Sequence, residues 1–132
     1  MNVPKWIPLL FWVSALYDGI LGVLFLVAPN WAFTRFEVVP PNHVGYVQFP
    51  AALLLIFAIM FIAIARNPAA HRDLICYGIL LKVAYCGVTS YHWTMTDIPL
   101  IWKPFVIIDV VMGLLFIVAW MSIPRSATAP AG

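Results

Sequence analysis

WIPLLFWVSALYDGILGVLFLV, running from Trp6 to Val27, carries a single charged side chain, Asp18, near its middle. At about 1.5 Å of rise per residue a run of this length crosses a hydrocarbon core about 30 Å thick, and in lipid a helix satisfies its own backbone polar groups. The segment is too long for a removable signal peptide, and Leu26 stands where cleavage after Ala28 would need a small residue. It therefore reads as a first transmembrane helix. Three more stretches have the same character, approximately Val44–Ala65, Leu74–Met95 and Leu100–Met121.

The composition agrees with that reading. Hydrophobic residues make up 64% of the 132 residues and charged ones 9%, and the mean hydropathy is +1.00, whereas soluble domains are about a quarter charged. The expected fold is all-α: one integral membrane domain over residues 1–132, built as a four-helix transmembrane bundle, with 122–132 as a flexible tail. The formal charge of +2 comes with no basic patch on a groove-reading element, so nucleic acid is not an expected partner. Lys5, Arg66, Arg72 and Arg125 flank one membrane face, and Arg35 and Lys103 the other. The positive-inside rule then places both termini in the cytoplasm, in a bacterium at the inner membrane.

The connections are punctuated by proline and asparagine. Ala28-Pro29-Asn30 ends the first span, and Trp31, Phe33 and Phe36 follow at spacings that suit a short interfacial helix with its aromatics toward lipid and Arg35 and Glu37 toward water. Pro40-Pro41-Asn42 makes an elbow, with Asn42 as the expected cap of the second span. Pro50 inside that span frees the carbonyl of Tyr46 near Gln48, either as a packing kink or as part of a site. Asn67-Pro68 ends the second span, and Thr96-Asp97-Ile98-Pro99 opens the fourth, with Asp97 as its expected cap.

Asp18, Lys82 and Asp109 are the ionisable residues deep in the spans. A charge in hydrocarbon costs several kcal/mol and persists where it faces the bundle interior with partners. Asp18 lies about twelve residues from one end of its span and Asp109 about twelve from the corresponding end of its own, so both are about 18 Å deep. Lys82 is about 12 Å deep, and a side chain about 6 Å long reaches the same level. The three can meet. With all ionised the cluster carries minus one, so either an aspartate holds a proton or a cation from outside completes the set. The plain alternative is a buried ion pair acting as glue between helices at about 1 kcal/mol per contact.

Helix periodicity extends the site. Lys82, Tyr85, Cys86, Thr89 and His92 share one face of the third span, and Ser14, Tyr17 and Asp18 a face of the first. Gln48 is the polar residue of the second span, which is otherwise apolar and expected at the periphery. The expected arrangement is a polar seam between spans one, three and four, opening outward; Asp18, Lys82, Asp109, Tyr17, Tyr85, Cys86, Thr89, His92 and Gln48 form the candidate binding set. Asp18 to Phe25 and Asp109 to Phe116 share the string D-x-x-x-G-x-L-F, which reads either as an inverted repeat or as two glycines that let a neighbour approach. Cys76 and Cys86, ten residues apart on one helix, are about 15 Å apart and cannot form a disulfide. His43, His71 and His92 show no metal-ligand spacing, so no metal is assigned.

In span number, size and the proline-containing first outer loop, the chain resembles the DoxX-like group of small bacterial four-span membrane proteins. The resemblance implies a compact inner-membrane bundle, associated in some relatives with quinone-linked oxidoreductases, and carries over no catalytic residue. The leading functional expectation is a non-catalytic subunit that binds a lipid-like or quinone-like ligand or docks on a larger membrane complex. The others are a proton-coupled transporter working as a homo-oligomer, and a small membrane enzyme using Lys82 or an aspartate as acid and base near Tyr85 and Cys86. No cofactor is assigned from the sequence.

Overall fold

Four long apolar helices and one short one account for the computed structural model, which describes residues 3–125. In chain order they are α1 (Trp6–Val27), α2 (Pro29–Arg35), α3 (Gly45–Arg66), α4 (Leu74–Met95) and α5 (Trp102–Ser122). The four long ones are each long and apolar enough to cross a bilayer, and the protein is an integral membrane protein. Among the described residues both ends of the chain lie at the same end of the bundle, called here the terminal end. The second and fourth spans, α3 and α5, begin a residue or two later than the hydropathy suggests. Residues 126–132 of the expected tail lie outside the described residues, whereas Ile123 is 1% exposed and belongs to the core.

The helices form two antiparallel pairs, α1 with α3 and α4 with α5, which touch each other less than their own partners. This corrects the expectation that the second span is peripheral. The reason is a stripe of small residues: Ala51, Ala58 and Ala65, seven apart on α3, are all buried, and small side chains let helix backbones close together in lipid. Opposite them Gly22 is indispensable, since a Cβ there would lie 2.9 Å from the Ala51 carbonyl oxygen and 2.9 Å from Leu55 Cγ.

The common core sits in the terminal half. Phe11 of α1 stacks on Phe116 of α5 with centroids 4.8 Å apart, and Phe61 of α3 tilts against Phe116 at 5.3 Å. Such ring pairs add roughly 0.5–1.5 kcal/mol beyond burial. α4 reaches this trio at Gly78, where a Cβ would be 2.9 Å from the Phe61 ring. Arg72, just before α4, donates from Nε to the carbonyls of Trp120 (3.1 Å) and Ile123 (2.7 Å), with its guanidinium 4.4 Å from the Trp120 ring centre. It thereby satisfies carbonyls that the end of α5 leaves open.

The connections differ from their sequence reading in three places. Phe33 is buried and packs toward Phe25 at 6.3 Å, while Trp31 stays exposed; the turn of α2 points one aromatic inward because α1 offers a ring to meet it. His43, not Asn42, serves the start of α3, its Nδ1 accepting from the Gly45 N–H at 3.0 Å. Asp97 caps nothing, because α5 begins only at Trp102 after a turn closed by Trp102 N–H on the Pro99 carbonyl.

Candidate functional site

Asp18 of α1, Lys82 of α4 and Asp109 of α5 meet where the two helix pairs join. The Lys82 Nζ donates to both Asp18 oxygens, at 3.3 and 3.5 Å, and to one Asp109 oxygen, Oδ1, at 3.2 Å. Exposure is 2% for Asp18, 2% for Lys82 and 6% for Asp109, so water screens little of their interaction. The contacts are longer than the 2.7–2.9 Å of tight charge-assisted hydrogen bonds. One ammonium thus bridges two carboxylates from α1 and α5, helices that otherwise meet through side chains such as the Phe11–Phe116 stack.

The surroundings fix the ammonium from below and beside. Its Nζ lies 5.3 Å from the Tyr17 ring centre and 6.0 Å from that of Phe61, both within reach of cation–π attraction. The stem of Lys82 passes over Gly113, where a Cβ would meet Lys82 Cβ at 3.3 Å. The two glycines of the shared D-x-x-x-G-x-L-F string therefore do different work, Gly22 admitting a backbone and Gly113 a lysine stem. The reading of close approach holds at Gly22.

The candidate residues divide into those the fold gathers and those it disperses. Tyr17 and Tyr85 are half-buried, and the Tyr17 ring lies beside the Lys82 ammonium. Cys86 is half-buried, its Sγ 3.7 Å from the Val106 carbonyl oxygen, and Thr89 is buried one turn further along the same face. His92 is exposed, its backbone carbonyl taken by Thr96, so the polar face leaves the bundle interior after Thr89. Gln48 stands apart from the centre, donating from Nε2 to the Leu26 carbonyl at 3.1 Å and sealing the end of α1. Cys76 and Cys86 are free thiols.

Two elements were not legible from the polar residues. Phe61 contributes the α3 wall of the centre; the seven-residue alanine stripe was the signal that α3 packs inward. The second is a groove of about 640 Å³ on the lipid-facing side of α1 and α3, its walls almost wholly apolar and including Trp12, Leu16, Gly19, Val23, Leu55 and Ile62. Among the described residues no group of three or more histidine, cysteine or acidic side chains converges as a metal site would require. No protein family, curated protein or solved structure matches the chain.

Proposed function

We propose that this chain is a small membrane binding subunit that holds a lipid-like or quinone-like molecule by its apolar chain in the groove between α1 and α3. The observation that carries this reading is the groove itself, about 640 Å³ and lined by apolar side chains at the depth of the acyl chains. Close van der Waals contact with a concave wall is what distinguishes a held chain from passing lipid, since burial from water gives no advantage inside a bilayer. The two helix pairs and the ionic centre between them form the rigid scaffold for that wall. The setting that fits is a bacterial inner membrane with both termini in the cytoplasm, supported by Lys5, Arg66, Arg72 and Arg125 at the terminal end. A DoxX-like membership and a larger quinone-linked complex as host belong to the same proposal.

The test is isolation with surrounding membrane and mass spectrometry of what accompanies the protein. The wild type brings one discrete lipid-like or quinone-like species in stoichiometric amount; only bulk lipid, in membrane proportions, would end the reading. Gly19→Leu fills the groove from its wall, where a Cβ makes ordinary contact with Ala58 at 3.7 Å, and lowers retention about fivefold, about 1 kcal/mol of lost packing.

A second reading draws on a different observation, the unequal number of acids and bases in the buried centre. It is proton-coupled transport by an oligomer. Proteoliposome flux driven by a proton gradient, abolished by Asp18→Asn and by Asp109→Asn, supports it, and flux unchanged by both removes it.

A further inference from the structure

The centre joining the helix pairs has a charge count its geometry can resolve. From α1 it is faced by Asp18 and Tyr17, from α4 by Lys82, Tyr85 and Cys86, from α5 by Asp109, and from α3 by the uncharged ring of Phe61. Two carboxylates and one ammonium sum to minus one. Among the described residues no other cationic side chain joins these groups, and an uncompensated charge in so dry a place costs several kcal/mol. Groups in that position neutralise by taking up a proton.

The two acids are held differently. Asp18 accepts from the ammonium with both oxygens, at 3.3 and 3.5 Å, as a delocalised carboxylate does. Asp109 accepts from the ammonium with Oδ1 alone, at 3.2 Å, which leaves Oδ2 free of the ammonium and able to carry a covalently bound hydrogen, with the Tyr17 hydroxyl close to the same carboxyl group. From these asymmetric contacts and the charge count, we infer that the centre is a proton-binding site, with one proton held on Asp109 Oδ2 and the Asp18 carboxylate paired to the Lys82 ammonium. The centre is then neutral: one ion pair and one carboxylic acid that accepts from Lys82 through Oδ1. Loss of the proton returns it to minus one between two helix pairs that otherwise meet through the aromatic core. The inference stands apart from the groove and its ligand.

Infrared spectroscopy of the chain in lipid vesicles at neutral pH, with carboxyl-labelled aspartate, reads this directly. The remaining acidic residues, Glu37, Asp73 and Asp97, are exposed, so their signals exchange quickly with deuterated water and the buried acid is distinguished by slow exchange. One slowly exchanging protonated-carboxyl stretch per chain is expected. Asp109→Glu moves it and Asp18→Glu leaves it in place. Absence of the band in the wild type overturns the proton site, and a band moved only by Asp18→Glu overturns its placement. Melting of the wild type in sodium, potassium and choline salts gives the same Tm if the proton completes the charge; a saturable rise with sodium or potassium overturns it in favour of a bound metal cation.

Discussion

The α1–α3 pair and the α4–α5 pair are fastened by opposite means. The first is held by what is missing: Gly22, Ala51 and Ala58 bring two backbones together, and among the described residues the one polar side-chain bond across that pair is Gln48 on the Leu26 carbonyl at the end of the seam. The second is held by side chains: Lys82 over Gly113, Cys86 on the Val106 carbonyl, and Arg72 on the last carbonyls of α5. Helices in lipid gain little from hydrophobicity when they associate, so packing and polar bonds are the two available routes. The protein relies mainly on close packing in one pair and on polar side chains in the other, with a buried ionic centre and an aromatic core where the pairs meet.

That contrast predicts how substitutions rank. Lys82→Ala removes the bridging ammonium and the stem that lies on Gly113, and leaves two buried acids without a base. It should cost about 3–5 kcal/mol of unfolding free energy in denaturant titration of the reconstituted protein, while Lys82→Met, which keeps the stem, costs less. Next comes Gly22→Leu, which forces atoms against the Ala51 carbonyl oxygen and Leu55 and should cost about 1–3 kcal/mol. Its control is Gly87→Ala on α4, where an added Cβ meets nothing within 4 Å and stability should not fall. If both glycines respond alike, the distinction between the pairs is wrong. The smallest effect is expected at Arg72→Ala, about 1 kcal/mol, seen as faster amide hydrogen exchange at the end of α5 with α1 and α3 unaffected.

Residues 6–27 and 74–95 could be read from the sequence as helices to the residue, because long apolar runs leave few alternatives in a bilayer. The meeting of Asp18, Lys82 and Asp109 was equally legible, since membrane depth fixes level and charge demands a partner. What polarity does not mark was missed. The inward face of α3 is written in alanines, Ala51, Ala58 and Ala65, whose information is their size. Gln48 drew notice as a polar residue in a span, yet its amide is spent on the Leu26 carbonyl. His92 lies on the right helical face, but the bundle has ended by its level. The groove is a property of shape between two helices, and no residue in it is unusual by itself.

The central claim is that one ammonium and two acids, carrying one proton between them, clasp the two pairs. Stability measured for Asp18→Asn, Asp109→Asn and the double variant tests it most directly. Either single change leaves a neutral lysine–aspartate pair, so each should cost about 1 kcal/mol or less, least for Asp109→Asn, whose amide mimics the neutral acid. The double change strands Lys82 as a lone buried charge and should cost about 3–5 kcal/mol, far more than the two singles together. Additive losses, with each single costing half the double, would contradict the account.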